Sequence, residues 1–245
     1  MEIPHAKERG MSAARDDIIA RIRASNGRAG PVDAETAAKI RESLLRPHAN
    51  LIPERAKGDS AALADRFVEM AEAALASVTR LARLDEAPGA VAGYLRRESL
   101  PPALVMAPDE WLDSIPWSDQ PELSIRRGRA EPSDRVSLTS AFAGIAETGT
   151  LMVHSGPSTP NTLYFLPETH IVVLPGGRVV GAYEDAWARL RAHLREADAA
   201  LPRAVTLITG PSRTGDIEKT IQIGVHGPRR LHIIVTGGEE TRDPT

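Results

Sequence analysis

The run AVTLITGPSRTGDIE, residues 204–218, contains a candidate strand and the loop that follows it. Its first six residues, 204–209, are short, bounded and rich in β-branched side chains, which is typical of a buried strand. Gly210 and Pro211 end that strand, and we expect a short helix to begin after them. Strands that lead through loops into helices build open α/β sheets, in which ligands lie beyond the carboxyl ends of the strands.

The loop offers chemical groups that suit an anion. Ser212 and Thr214 carry hydroxyls, Arg213 carries a guanidinium, and backbone N–H groups at a helix start are unpaired. We therefore place these three residues and Asp216 in a site for a phosphate or a carboxylate. The alternative is structural: Ser212 or Thr214 caps the helix, Asp216 complements its dipole and Arg213 is solvated. No Walker loop or Gly-x-Gly-x-x-Gly turn is present, so a nucleotide site is not indicated.

Upstream of this loop, helical and strand patterns alternate along the chain. Leu63, Phe67, Met70 and Ala74 are spaced by four, three and four residues, which predicts a helix with one apolar face. Further elements are expected as a strand near Val78, a helix from about Pro88, strands over 103–107, 170–174, 178–181 and 231–235, and a helix with Trp187, Leu190 and Leu194 on one face. This alternation predicts an α/β fold with a parallel sheet flanked by helices.

The chain divides by pattern into three parts. Residues 1–59 form an N-terminal helical arm, in which Ser12 and Asp33 are candidate helix caps. Residues 60–238 form a single α/β domain, and residues 239–245 form a polar, loose tail. The arm packs either on the body of its own chain or on a second subunit, so a homo-oligomer is one of two possibilities.

Composition excludes several classes of function. The formal net charge is −3 and the 30 basic residues are spread along the chain, which does not favour a nucleic-acid or membrane surface. The chain has no cysteine, which excludes disulfides, thiolate nucleophiles and iron–sulfur clusters held by its own thiolates. No apolar run reaches the length of a membrane span and the N-terminus does not resemble a signal peptide, so we expect a cytoplasmic protein.

Glu147 is the first candidate for a catalytic carboxylate. It stands in the turn Glu147-Thr148-Gly149-Thr150 between two short apolar runs, an arrangement that predicts a hairpin with exposed backbone donors. Thr148, Gly149 and Thr150 are therefore placed in a ligand site with Glu147, and this turn and the Ser212 loop could face one pocket. The alternative is an ordinary glutamate in a polar turn.

His226 is the second catalytic candidate. It precedes Gly227 and Pro228 in a constrained turn that could present an imidazole as an acid, a base or a donor, with Gly227 in the ligand site. A histidine that only stabilises the turn is the alternative. The histidines show no spacing typical of metal ligands and no Gly-x-Ser-x-Gly elbow is present, so we assign no metal site and no serine hydrolase.

Four blocks of the chain carry a family resemblance. They are IAETGTL at 145–151, LPETHIVV at 166–173, GPSRTGDIE at 210–218 and GVHGP at 224–228. In this order they resemble the lactate utilization protein C family, over about residues 67–235. The resemblance implies a LUD domain, an α/β fold similar to the sugar-phosphate isomerase and CoA-transferase superfamily.

The resemblance also implies a function. It implies a role in bacterial oxidation of L-lactate to pyruvate, as the cluster-free member of a set whose other two proteins carry iron–sulfur clusters. In that case the chain itself binds no cofactor and is an accessory subunit with a small anionic ligand. Two other functions stay open at this point: a free-standing enzyme acting on a phosphorylated or CoA-linked small molecule, with Glu147 as base or nucleophile, and a structural or regulatory scaffold.

Overall fold

The computed structural model describes residues 6–27, 30, 32–45, 51–217 and 220–237. Contacts divide the chain into two compact units, residues 1–50 and 51–245. The predicted boundary at residue 59 stays a prediction, and the tail 239–245 lies outside the described residues.

The described residues of the first unit form two helices, α1 (Ala6–Ser25) and α2 (Ala34–Leu45). Asp33 caps α2 as predicted, because its Oδ1 accepts a hydrogen bond from the Thr36 N–H at 2.8 Å. The prediction that Ser12 caps a helix is wrong, since α1 begins at Ala6 and Ser12 lies inside it.

The second unit contains five helices and twelve strands among its described residues. The helices are α3 (Ser60–Ala73), α4 (Ala87–Arg97), α5 (Glu110–Asp113), α6 (Thr162–Phe165) and α7 (Tyr183–Glu196). The strands are β1 (Ser77–Leu81), β2 (Ala103–Met106), β3 (Ser124–Arg127), β4 (Val136–Ser140), β5 (Ala143–Ile145), β6 (Thr150–His154), β7 (Thr169–Pro175), β8 (Val179–Val180), β9 (Val205–Ile208), β10 (Arg213–Ile217), β11 (Thr220–Ile223) and β12 (Arg230–Thr236).

Six strands form the large sheet, in the order β1-β12-β7-β4-β2-β3, and every neighbouring pair is parallel. The predicted parallel sheet is therefore confirmed. Strand β7 is buried at all seven positions and β12 at six of its seven. A fully buried central strand requires apolar cover on both faces of the sheet.

Two different layers cover the large sheet. On one face, Val91 and Leu95 of α4 belong to the same core cluster as Leu138 and Ile171 of the sheet. On the other face, a second sheet in the order β8-β5-β6-β9 and helix α3 share a core cluster with Val172 and other sheet residues. Helix α7 packs on the outer side of this second sheet. The order of layers is thus helices, large sheet, small sheet with α3, and α7.

The remaining strands form two smaller sheets, and two local expectations are corrected there. The run 178–181 contributes β8 to the small sheet and not to the large one. Strand β9 is an edge strand that pairs only with β6, so it is partly exposed, and Leu207 keeps 41% of its surface accessible. The segment after Pro211 forms no helix: it continues as β10, which pairs with β11 in a hairpin. Thr and Ile residues in both strands favour that β conformation.

Two glycines let the small sheet approach α3 closely. Gly149 has φ 64°, and a Cβ atom there would lie 2.1 Å from the backbone nitrogen of Ala71. Gly210 has φ 71°, and its Cβ would lie 1.9 Å from the carbonyl oxygen of Ala74. The turn before β6 and the loop after β9 therefore both rest on the C-terminal end of α3.

Gly149→Ala is expected to lower the free energy of unfolding by about 2 kcal/mol or more, because alanine is strained at positive φ and its methyl group has no room against α3. Gly215→Ala is the control, since a Cβ at that position meets no atom within 4 Å, and its expected change stays within about 0.5 kcal/mol. Urea unfolding of the three proteins measures both values. Equal stability of Gly149→Ala and the unmodified chain would contradict the close approach of the Gly149 turn to α3.

Candidate functional site

A cleft of about 200 Å³ lies beside the free edge of β9. Its walls are the segment 206–212, the turn 226–228 and the side chains of Tyr164 and Phe165, and its floor is His170 and Leu231 of the large sheet. His170 and Leu231 are the second residues of β7 and β12. The cleft therefore opens at the amino ends of the parallel strands, which corrects the expectation that the loop after residue 209 lies beyond their carboxyl ends.

Ser212 ties the loop after β9 to the turn 224–228. The Ser212 N–H donates to the Pro228 carbonyl at 2.9 Å, and the Gly224 N–H donates to the Ser212 carbonyl at 2.9 Å. The His226 N–H donates to Ser212 Oγ at 3.3 Å. The structure thus brings Ser212, His226 and Gly227 together in the cleft lining. A serine hydroxyl that accepts one hydrogen bond still has its own proton to donate.

The other loop residues lie outside the cleft lining. The side chain of Arg213 is exposed at the start of β10, and within the described part of the chain it forms no ion pair. Thr214 is half-buried and lies opposite Gln222 in the hairpin. Asp216 belongs to β10, and its side chain is not among the described ones. Of Arg213, Thr214 and Asp216, only Arg213 is adjacent in sequence to a cleft residue, Ser212.

Glu147 is paired with an arginine. Its side chain is only 11% exposed, and Oε1 accepts a hydrogen bond from Nη2 of Arg55 at 2.7 Å. The Glu147 N–H donates to the carbonyl of Gly181 at 3.0 Å. The carboxylate is therefore held by the charge of Arg55, and the backbone of Glu147 is held by the carbonyl of Gly181.

The threonines beside Glu147 form a hydroxyl network. The Thr148 and Thr150 hydroxyls lie 2.7 Å apart, and the Tyr183 hydroxyl is 2.9 Å from the first and 3.1 Å from the second. Thr150 also hydrogen-bonds to the hydroxyl of Thr209 at 2.7 Å. Thr209 lines the cleft.

The Glu147 turn and the Ser212 loop do not line one cleft. The hydroxyls of Thr150 and Thr209 link them, but Glu147, Thr148, Gly149 and Thr150 are absent from the cleft lining. The catalytic roles of Glu147 and His226 and the ligand roles of their neighbours stay predictions.

His170 lines the cleft, and no sequence motif had indicated a role for it. It is completely buried, and its Nε2 hydrogen-bonds to the hydroxyl of Thr139 at 2.8 Å. Nδ1 has no partner in the described ranges. Burial lowers the pKa of His170 to about 3, so the ring is neutral near pH 7. Its signal in the sequence is a histidine in the apolar run THIVVLP of a strand that is buried on both faces.

The carboxyl edge of the large sheet holds a different set of groups. Arg178 is completely buried, donates from Nη1 to the carbonyl of Ala141 at 3.1 Å and stacks over Trp111. Asp109 is also buried and accepts a hydrogen bond from Ser140 Oγ at 2.5 Å. A second cavity, of about 570 Å³, lies at the ends of β1, β7 and β12. It is lined mainly by small side chains from Gly176, Gly177, Gly237, Ser60, Ala61 and Ala64.

Neither metal ligands nor membrane spans are found in the parts of the chain that the structure describes. Within those ranges, no three His, Asp or Glu side chains lie close enough together to hold a metal ion. No described helix is both long and apolar enough to cross a membrane.

Comparison with known families decides what kind of domain this is. The family model for the LUD domain matches residues 64–236. The chain belongs to the LUD domain family. This confirms the resemblance read from the four sequence blocks, and the matched range includes both the cleft and the Glu147 turn.

Two relatives of this chain carry the name lactate utilization protein C. Lactate utilization protein C of Geobacillus thermodenitrificans is 34% identical over 116 residues, which are 46% of this chain and 48% of the relative. The protein of that name from Deinococcus radiodurans is 34% identical over 155 residues, 62% of this chain and 69% of the relative. The match thus spans about half the length of the first relative and two thirds of the second.

A solved structure shares the fold of the LUD domain. The crystal structure of a DUF162 family protein from Deinococcus radiodurans superposes with a TM-score of 0.54 at 24% sequence identity. The superposition covers 74% of this chain and all of that chain. The α/β architecture is therefore shared with an experimentally determined protein.

Two buried histidines predict how stability changes with pH. Burial lowers the pKa of His170 to about 3 and that of His232 to about 4, whereas an unfolded histidine titrates near 6.5. As the pH falls, these histidines therefore bind protons in the unfolded chain before they do so in the folded chain. Their contribution to the free energy of unfolding is fully present above about pH 6.5 and is lost as the pH falls towards 4. Protonation of each histidine in the unfolded chain is expected to lower the free energy of unfolding by about 2 kcal/mol between pH 7 and pH 5.

Urea unfolding at the two pH values measures this loss. In His170→Phe the loss between pH 7 and pH 5 is expected to be smaller by about 2 kcal/mol, because one titrating group is gone, while His232 and His154, whose pKa burial also lowers, remain. An unchanged pH dependence in that folded variant would contradict the burial of a neutral imidazole at position 170.

Proposed function

We propose that this chain is the cluster-free subunit of a bacterial system that oxidises L-lactate to pyruvate, and that it binds a small carboxylate in the cleft beside β9. The names of two relatives, which refer to lactate utilization, support the first part. The observation that carries the second part is the grouping of Ser212, His226 and Gly227 in one cleft lining.

The cleft has the groups that a carboxylate needs. Ser212 has a hydroxyl proton to donate, and its position is fixed by three hydrogen bonds to the turn 224–228. The exposed side chains of Arg213 and Arg229 flank this turn, and neither forms an ion pair within the described part of the chain. Exposed cations next to residues of a cleft raise the local concentration of anions there.

The electrons of the oxidation would be carried by other chains. Converting a 2-hydroxy acid to a 2-oxo acid removes two electrons and two protons, so an acceptor has to receive the electrons. This chain has no cysteine, so a cluster held by thiolates belongs to a partner. In this proposal the two partners are iron–sulfur proteins, and the chain presents or positions the acid without catalysing the oxidation alone.

Arg213→Ala is expected to weaken binding of L-lactate about two- to fivefold, because an exposed arginine contributes only a modest, screened attraction. The effect is expected to shrink when the salt concentration is raised, since the Debye length falls from about 10 Å at 0.1 M to about 3 Å at 1 M. Titration calorimetry at both salt concentrations measures the two affinities.

Arg129→Ala is the matched control for this titration. Arg129 is also exposed, and it follows β3 at the opposite edge of the large sheet from β1. Its removal is expected to leave the affinity unchanged. Equal losses in the two variants would show that only the total charge matters, and would contradict a local role for Arg213.

The function itself is tested by an affinity pull-down from lactate-grown cells of the native host. The expected result is recovery of two cysteine-rich partners, with L-lactate-dependent reduction of a dye by the recovered complex. Recovery of the chain alone, together with turnover of a phosphorylated or CoA-linked metabolite by the isolated protein, would replace this proposal with a free-standing enzyme. Glu147→Gln would then be the first variant to assay.

A further inference from the structure

The free edge of β9 differs from the other edges of the two larger sheets. Within the described ranges β9 pairs with β6 alone, and its sequence VTLI has no charged residue and no proline. The edge strands of the large sheet carry arginines, Arg80 in β1 and Arg126 and Arg127 in β3, and β8 is only two residues long. Charged or very short edge strands resist pairing with another chain, so β9 is the edge that is open to it.

The backbone of β9 directs hydrogen-bonding groups towards this free edge. On β6, the Met152 carbonyl accepts a hydrogen bond from the Phe142 N–H at 2.9 Å, so the Met152 backbone faces away from β9. Leu207 lies opposite Met152 in the antiparallel register. The N–H and carbonyl of Leu207 therefore point to the free side, and so do those of Val205, because these directions alternate along a strand. No hydrogen bond to these groups is found in the part of the chain that the structure describes.

The cleft runs along the same edge. Thr206, Leu207, Ile208 and Thr209 follow one another in the chain and all line it. Successive residues of a strand point to opposite faces, so a wall made of consecutive residues is the edge of the strand. Leu207 and Phe165, which both line the cleft, keep 41% and 47% of their surfaces exposed. An extended segment laid along β9 therefore meets free backbone groups and two exposed apolar side chains.

The charges around this edge are positive. Arg203 lies just before β9 and Arg213 lies after its loop, and both side chains are exposed and form no ion pair within the described part of the chain. The cleft lining contains no aspartate and no glutamate. Two copies of this chain joined edge to edge through β9 would bring their arginines close together, whereas an acidic segment would pair with them. Charge thus favours an acidic partner over a second copy.

We propose that the free edge of β9 is a docking site for an extended, acidic segment of a partner protein, which adds a strand to the small sheet. The backbone of that segment pairs with Val205 and Leu207, and its apolar side chains cover Leu207 and Phe165. Strand addition of this kind takes its affinity from backbone hydrogen bonds and its specificity from side chains. The inference goes beyond the proposed carboxylate site, because the acid lies at Ser212, after the end of β9.

Three peptides with blocked ends test this docking site on the full chain. The first alternates glutamate and valine, the second has lysine in place of each glutamate, and the third is the first with a methyl group on every backbone nitrogen. By titration calorimetry, the first is expected to bind about tenfold more tightly than either of the others. Equal binding of the first two would overturn the acidic partner, equal binding of the first and third would overturn strand addition, and no binding of the first would overturn both.

Leu207→Pro then assigns the binding to β9. Proline removes the N–H that points to the free side and keeps the bonds to β6, so the folded variant is expected to bind the first peptide about fivefold more weakly or worse. Leu207→Ile is the matched control, since it keeps the N–H and an apolar side chain, and its affinity is expected to change by less than about twofold. Equal affinities of the two variants would overturn pairing at β9.

Arg203→Glu is a second variant, which leaves the strand itself unaltered. The preference for the glutamate peptide over the lysine peptide is expected to fall from about tenfold to about threefold or less. A retained tenfold preference would contradict the charge match.

Sedimentation of the chain alone tests the other occupant of this edge. The unmodified chain and Leu207→Pro are expected to have the same oligomeric state. Self-association that Leu207→Pro abolishes would overturn the proposal and assign the edge to a second copy. The titrations with L-lactate are independent: failure of the peptides leaves the carboxylate site standing, and failure of L-lactate to bind leaves the docking site standing.

Discussion

The burial of strand β7 on both faces is the constraint on which the rest of this structure depends. All seven of its residues are buried, and its neighbours β4 and β12 are buried nearly as completely. Helix α4 covers one face, but the other face is covered by a second sheet together with α3. The chain between β4 and β12 therefore supplies the four strands of that second sheet as well as β7.

This arrangement places the cleft at an unusual edge of the sheet. The small sheet ends where its glycine turns rest on the C-terminal end of α3, near the amino ends of β1 and β12. The loop after β9 and the turn before β12 meet at the same end, and Ser212 joins them. A general rule for open α/β sheets places ligands at the carboxyl edge instead. Here that edge holds a larger cavity, half of whose lining residues are glycine or alanine.

Much of the local structure was predictable from the sequence. Period and β-branched content identified α3, α4, α7, β2, β7 and β12, because each carries a clear apolar stripe or a continuous apolar run. The assignment of strands to sheets was not predictable in the same way. The run 178–181 and the run 204–209 resemble central strands locally, and only pairing with residues far along the chain places them in the small sheet.

The candidate site was predictable in part for the same reason. Ser212, His226 and Gly227 stand in short, punctuated segments whose turn chemistry is visible, and the structure brings them together. Glu147 has equally visible turn chemistry, yet its carboxylate is paired with Arg55, 92 residues earlier in the chain. His170 has no local motif at all. Its place in the cleft lining is visible only in the packed structure.

A crystal structure of the full chain with L-lactate tests the central claim most directly. We predict that the acid lies in the cleft beside β9, with its carboxylate at Ser212. Density for the acid in the cavity at the carboxyl ends of β1, β7 and β12, with the cleft filled only by solvent, would contradict it. The chain would then follow the general rule for open α/β sheets, and the ligand site would have to be rebuilt around Gly176 and Gly237.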